Sequence, residues 1–382
     1  MSGTSLDAVD AALIKTDGET IFEFGPAIER KYLGDERKCL QQATEAARDW
    51  NWVGLKPEKL FEQARRIVVS THVEAWKMLE KARFESRNES DRDPKRVGNG
   101  PEADPKQSRI KLVGVHGQTV LHRRPTDQSL GATLQLMDGA SLAKQIGVSV
   151  AHDFRSADVA AGGEGAPLAP VYHRALLERL GGGPAAVLNL GGVANITARL
   201  SDGTLMAFDT GPANGPIDEW VEGHERGVHD EGGRFAAAGH VHEGVLAGLF
   251  EHAWFDEAPP KSLDRYDFNA SMVRGLSFED GAATLTAFSA RAVAAGLAQL
   301  PEMPERVIAC GGGRHNPTLM RMLADALTCE LLSAEQAGWR GDSIEAEAFA
   351  LLAVRTLRGL PISWPGTTGV SQEMPGGVVT RA

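Results

Sequence analysis

Apolar positions along the 382-residue chain alternate between two spacings, and the alternation predicts strands interleaved with helices. Ala8–Ile14 and Thr20–Ile28 read as strands. Leu60, Phe61, Ala64, Ile67, Val68, Thr71, Ala75, Met78, Leu79 and Ala82 recur three and four apart, which is one face of a helix. Ile110–Val115 follows as an apolar strand, Ala140–Gln145 as a helix and Val148–Ala151 as a strand. The order then repeats. Ala186–Leu190 is a strand, and Asn195–Leu200 with Thr204–Asp209 makes a hairpin around the Asp202-Gly203 turn. Helix Ala282–Leu300, strand Arg306–Cys310, helix Asn316–Leu327, strand Glu330–Ser333 and helix Ser343–Leu357 complete it. Strands that first meander and then alternate with helices, twice over, predict an α/β protein of two related lobes with mixed sheets and a cleft between them.

One stretch breaks the pattern. Residues 85–109 carry six acids, six bases, three prolines and two glycines, with only Val97 and Ala103 apolar. Too little surface is available there to offset the entropy of ordering, which predicts a flexible insertion.

Composition narrows the classes. With 51 acidic and 40 basic residues the net charge is −11, the wrong sign for a protein whose affinity would come from neutralising phosphates of nucleic acid. No run approaches the roughly 18 apolar residues of a membrane span, and no leader opens the chain, so a cytoplasmic protein is expected. Cys39, Cys310 and Cys329 are widely spaced and odd in number, as suits a reducing compartment. The sequons at Asn88, Asn195 and Asn269 are then read as chance. His240 and His242 are the closest histidine pair, and with no third ligand nearby in sequence they read as solvent-facing side chains rather than metal ligands. No P-loop, zincin or nucleophile-elbow motif is present.

Four small-residue turns at strand ends remain. They are Ser2-Gly3-Thr4-Ser5-Leu6-Asp7; Asn189-Leu190-Gly191-Gly192 with Asn195; Phe208-Asp209-Thr210-Gly211-Pro212; and Cys310-Gly311-Gly312-Gly313. Glycine lets backbone close on phosphate or a flat base, hydroxyls donate, and an acid such as Asp7 holds Mg²⁺ through water. On the residues alone, Asp209 serves equally as a turn former or as a base.

The segments MSGTSLDAVDAALI, VGVHGQTVLHRRP, ADVAAGGEGAPLAP, NLGGVANIT, FDTGP, PKSLDRYDFN, ACGGGRHNPTLM and GDSIEAEAFALLAVRTLRGLP, in this order, closely resemble the anhydro-N-acetylmuramic acid kinase family of the actin-like superfamily. The resemblance runs from Met1 to about Ser371, excluding the insertion. It implies two actin-like (ribonuclease H-like) lobes with five-stranded mixed sheets, residues 1–152 and 153–382. It also implies ATP with Mg²⁺, a homodimer, and opening of the 1,6-anhydro ring by water with phosphorylation of O6, a step in peptidoglycan recycling.

Roles carry over by position. Asp209 matches the base that takes the proton of the attacking water, and Glu345 a second carboxylate that holds water and sugar. Gly3, Thr4, Ser5, Leu6, Asp7, Ala8, Val9 and Asp10 match the ATP-phosphate stretch, and Asn189, Gly191, Gly192, Gly311, Gly312 and Gly313 join the nucleotide site. His116, Gln118, Asp153 and Arg155 match segments near the sugar. Arg155 pairs either with the lactyl carboxylate or structurally with Asp153 or Asp158. The roles of Lys261 and Ser262 stay open, and Glu347, two residues from Glu345, is expected to be solvated.

The chain departs from the family pattern at four places. It begins at the methionine of the first motif without the strand that usually precedes it, so a chain starting upstream, with unpaired strand edges in its absence, is expected. Ala213 replaces a glycine and would be strained if that position needed positive φ. Ala8 replaces a second glycine, and Gln135-Leu136-Met137-Asp138 replaces Gln-Ile-Gly-Asp. Other readings are another sugar kinase of the superfamily or an actin-like ATP-binding scaffold.

Overall fold

The computed structural model describes residues 1–2, 6–91, 109–126, 129–263 and 267–382. The chain divides into two compact units, Met1–Ala175 with Ser343–Ala382, and Leu176–Asp342.

The first unit opens with the antiparallel pair β1 (Ala8–Thr16) and β2 (Ile21–Lys31). Their turn is closed by Asp17, whose carboxylate accepts the N–H groups of Glu19 and Thr20. Helices α1 (Gly34–Trp50) and α2 (Glu58–Asp91) follow. Leu40, Ala43, Phe61, Ala64 and Val68 recur three and four apart on them and pack into one core with Val9 and Leu136. The predicted face of α2 is therefore the buried one. The helix runs to Asp91 and so takes in the first seven residues of the segment read as a flexible insertion. An established helix adds polar residues at little cost once its nucleus is packed. Residues 92–108 lie outside those described.

Strand β3 (Leu112–Gly114), the hairpin β4 (Gln118–Arg123) and β5 (Ala132–Leu136), helix α3 (Gly139–Ile146), strand β6 (Ser149–His152), and helices α4 (Ser156–Ala160) and α5 (Pro170–Arg179) come next. Asp138 caps α3 by accepting the Ser141 N–H at 2.9 Å.

The second unit is built on five strands. β7 (Ala185–Leu190), β8 (Val193–Arg199) and β9 (Leu205–Pro212) form an antiparallel meander, and helices α6 (Asn214–Gly223), α7 (Arg234–Ala238), α8 (Glu243–Leu249) and α9 (Phe278–Ala298) follow. β10 (Arg306–Cys310), α10 (Pro317–Ala326) and β11 (Glu330–Ser333) complete it. The sheet order is β11-β10-β7-β8-β9, with β10 parallel to both β7 and β11. Leu188, Leu190 and Ile196 of the sheet pack with Val293 and Leu297 of α9 and Leu319 and Leu323 of α10.

The chain returns to the first unit as α11 (Ile344–Arg358), α12 (Pro365–Thr368) and β12 (Val378–Thr380). β12 pairs antiparallel with β6. The compact units thus differ from a division at 152/153, which would cut β6 from its partner strand. The expected pair of five-stranded sheets is found once. Among the described residues of the first unit the strands form a β1-β2 pair, a β12-β6-β3 sheet and the β4-β5 hairpin. Among the described residues, no helix is long and apolar enough to cross a membrane.

His173 of α5 is buried, and burial pulls its pKa down to about 4. A histidine kept neutral by the fold contributes stability that is complete above its unfolded pKa, near 6.5, and is lost as pH falls toward the folded value. His173→Gln should therefore retain more of its neutral-pH stability at pH 4.5 than the parent chain, by about 2–3 kcal/mol in urea unfolding. Some acid sensitivity should persist, since His72 and His122 are lowered to about 3 and about 4.

Candidate active site

A polar row crosses the otherwise apolar sheet of the second unit. In register, Asp209 lies opposite Asn195, Asn195 opposite Asn189, and Asn189 beside Cys310. Residues directly opposite in register share one face. The three polar side chains are half-buried, while Leu188, Leu190, Ile196 and Phe208, next to them along the strands, are buried. A packed sheet retains such a row at a cost unless the groups are bonded or used.

Asp209 is held by the segment that follows α8. Its N–H donates to the Lys261 carbonyl at 2.9 Å, and its Oδ2 accepts the Leu263 N–H at 2.7 Å. Lys261 anchors that segment. Its Nζ donates to the carbonyls of Trp254 at 3.1 Å and Phe255 at 3.3 Å, and lies 4.2 Å from the centre of the Trp254 ring. Burial lowers the Lys261 pKa, against the pull of Glu257 and Asp256. After Asp209 the strand needs Gly211: its φ is +149, and a Cβ there would meet the Ala292 Cβ at 2.6 Å. Ala213 has φ −126, outside the left-handed region, so the expected strain there is absent.

The two glycine turns of this unit adjoin one another. Gly311 has φ +77, and a Cβ on it would lie 2.5 Å from the Asn189 Oδ1. Gly192 and Gly312, by contrast, face open space and leave bare backbone for a flat ligand. Residues outside the sequence-derived set fix these turns. The Asn214 amide donates to the carbonyls of Leu190 at 3.0 Å and Gly191 at 2.9 Å. Arg314 donates to the Gly311 carbonyl at 2.9 Å and is itself paired with Glu335 and Asp342.

In the first unit a second cluster gathers around Arg155. Its Nε donates to His116 Nε2 at 2.9 Å and its Nη1 to the Gly165 carbonyl at 2.6 Å. No ion pair joins it to Asp153 or Asp158 among the described residues. Asp153 accepts the Ser156 hydroxyl, while Asp158 accepts the Gly165 N–H and the Thr368 hydroxyl. Burial lowers the Arg155 pKa to about 10, opposed by Glu345 and Asp158. Burial, reinforced by Arg155, holds His116 neutral with its pKa far below the usual range. Its Nε2 is already an acceptor, so the proton sits on Nδ1, which is buried and has no partner among the described residues. A buried donor left unpaired costs about 1–3 kcal/mol, which marks this atom as a place to receive a ligand oxygen.

Glu345, in the first turn of α11, is open to solvent on one side. The protein packed around its carboxyl raises its pKa, against the Met1 amine and Arg155. Glu347 is not solvated. It is buried and accepts the Tyr172 hydroxyl, because the face of α11 that carries it packs inward.

The Gln118 Oε1 accepts the Ser2 hydroxyl, which also receives the Tyr32 hydroxyl at 3.2 Å. Of the expected phosphate stretch, Gly3, Thr4 and Ser5 lie outside the described residues. Leu6 and Val9 belong to the core and Ala8 is buried, so they offer backbone only. Asp7 is exposed, with its Oδ1 accepting the Ala8 N–H. Burial raises the Asp10 pKa to about 6. Among the described residues, no group of three or more histidine, cysteine or acidic side chains is arranged to hold a metal.

A family model described as anhydro-N-acetylmuramic acid kinase matches residues 102–382. The anhydro-N-acetylmuramic acid kinase of Caulobacter vibrioides is 52% identical over 99% of this chain and 96% of its own length. That of Phenylobacterium zucineum is 48% identical over 100% of this chain and 98% of its own. The chain belongs to the anhydro-N-acetylmuramic acid kinase family. Solved structures align only loosely. A ROK family glucokinase from Streptomyces griseus covers 91% of this chain and 99% of its own at 10% identity and TM-score 0.35, which adds nothing to the assignment.

Within this family chain, the residues that sequence reading missed are the ones that hold others in place. Arg314 directly after three glycines, Asn214 two residues past the Asp-Thr-Gly-Pro turn, and Lys261 were visible as positions but not as tethers. Asn214→Ala removes both bonds to the 190–191 carbonyls. It should weaken ADP binding about tenfold in calorimetric titration, the scale of one to two net hydrogen bonds, with near-parental circular dichroism.

Proposed function

We propose that this chain is an ATP-dependent kinase of 1,6-anhydro-N-acetylmuramic acid that opens the ring with water and phosphorylates O6, giving N-acetylmuramic acid 6-phosphate and ADP. The observation that carries the reading is Asp209, a carboxylate oriented by the Leu263 N–H on the same sheet face as Asn195 and Asn189. The family of the chain supplies the substrate class.

The chemistry follows from that carboxylate. Water is a poor nucleophile, so its oxygen attacks the anomeric carbon as Asp209 accepts its proton. The bond from the anomeric carbon to O6 breaks on the opposite face, which inverts the anomeric centre. O6 leaves with the electron pair and takes the γ-phosphoryl group of ATP, releasing ADP. We assign Glu345 the second carboxylate role, holding water and sugar. The Nδ1–H of His116, without a partner among the described residues, donates to a substrate oxygen, and Arg155 orients that imidazole through its bond to Nε2. Gly191, Gly192, Gly311, Gly312 and Gly313 receive the nucleotide. Mg²⁺ would neutralise phosphate charge when bound, and the exposed Asp7 would hold it through water. A homodimer is part of the same reading.

Asp209→Asn keeps the size of the side chain and an oxygen for the Leu263 N–H, but not the base. ADP release that depends on the anhydro-sugar should fall by about 10²–10⁴-fold, with ADP affinity and thermal midpoint near parental values. Sugar-dependent release at the parental rate would remove Asp209 from the mechanism.

A further inference from the structure

The polar row across the sheet of the second unit has a middle member without a task. Asn189 is committed to the glycine turn: its Oδ1 accepts the Cys310 Sγ–H at 3.9 Å, and Gly311 leaves no room for a Cβ beside it. Asp209 is held by the Leu263 N–H. Asn195 stands between them in register, half-buried, and its side-chain amide makes no hydrogen bond among the described residues. Its neighbours along β8, Ala194 and Ile196, are buried. An amide on a packed sheet is costly unless some group meets it.

A bulge marks the same place. Between β8 and β9 the register steps from Ala194 opposite Gly211 to Asn195 opposite Asp209, so Thr210 is the extra residue. Thr210 is buried, its hydroxyl donating to the Ala194 carbonyl at 3.3 Å. Bulges of this kind re-aim side chains beside active sites. Side chains directly opposed on one face have Cβ atoms about 4.5–5.5 Å apart, which puts the Asn195 amide within reach of a molecule held by Asp209. On the function proposed above, water sits at Asp209 and the phosphates sit at the glycine turns beyond Asn189. The sugar oxygen O6 belongs between, because it leaves the anomeric carbon and then bonds the γ-phosphorus. Reacting atoms meet at about 3–3.5 Å and the leaving oxygen lies one bond further, so O6 is about 5 Å past the water. That is close to one strand spacing, about 4.8 Å, the step from Asp209 to Asn195.

We propose that Asn195 is a catalytic residue whose Nδ2–H donates to O6 as the bond to the anomeric carbon breaks. The inference rests on the proposed function and deepens it. In the step, the water oxygen bonds the anomeric carbon and its proton passes to Asp209. The electron pair of the broken bond goes to O6, which bonds the γ-phosphorus as the bond from that phosphorus to ADP breaks. The amide proton stays on Asn195. A general acid at this position would protonate O6, and a hydroxyl is a poorer phosphoryl acceptor than an oxyanion. A donor that does not ionise stabilises the charge on O6 and leaves its electron pair available.

Two variants of the full chain test this beside the parent. Asn195→Ala removes the donor, and Asn195→Asp keeps the shape of the side chain but, once ionised, only accepts. With sugar-dependent ADP release as the readout, kcat should fall about 10²–10³-fold in Asn195→Ala and by at least as much in Asn195→Asp. KM for the anhydro-sugar and for ATP should stay within about threefold, because the bond strengthens only as charge develops on O6. Circular dichroism should be near parental, and Asn195→Asp decides the matter alone if Asn195→Ala does not fold. A parental kcat in either folded variant, or a loss confined to KM, overturns the inference and leaves the proposed function standing. A parent chain whose ADP release does not respond to the sugar overturns both.

Discussion

The second unit depends on keeping one carboxylate available on the face of a packed sheet. Charged groups on such a face are costly unless backbone donors meet them, and the Leu263 N–H meets Asp209 from a segment that is not part of the sheet. That segment is held in turn by Lys261, whose ammonium lies on the Trp254 ring and bonds two carbonyls. The strand ladder contributes the rest, since the register of β7, β8 and β9 brings Asn189, Asn195 and Asp209 side by side. A one-residue slip would turn all three to the other face.

The same logic explains why the glycines cluster where they do. Gly311 turns where only glycine fits beside Asn189, and Gly192 and Gly312 leave backbone uncovered. Arg314 and Asn214 brace these turns through the Gly311 and Gly191 carbonyls. In the first unit the bracing is reversed. There a neutral histidine is held by a guanidinium, and its other nitrogen has no partner among the described residues.

Much of this was legible in the sequence. The helix face of α2, the hairpin at Asp202-Gly203 and the strand at Arg306–Cys310 follow from spacing alone, because burial repeats with the period of the element. The extension of α2 past residue 85 was not legible, since polar composition reads as loop whether or not a packed nucleus stands behind it. Helix α1 and the β4-β5 hairpin were likewise not singled out. Glu347 was misjudged because two-residue spacing on a helix separates faces without saying which face is buried. The tethers from Lys261 to Trp254 and from Arg155 to His116 link positions 7 and 39 residues apart through three-dimensional proximity, which spacing does not encode. The catalytic assignment of Asp209 came from resemblance, and the geometry around it supplies a physical reason for it.

The central claim is that water opens the sugar ring while O6 becomes the phosphoryl acceptor. Turnover of the anhydro-sugar with ATP in ¹⁸O-labelled water tests it most directly, with the product read immediately by mass spectrometry and by the anomeric proton resonance. The account predicts one ¹⁸O at the anomeric carbon, none in the phosphate, and a single inverted anomer before mutarotation. Label in the phosphate, or a phosphorylated product that still contains the 1,6-anhydro bridge, would contradict it.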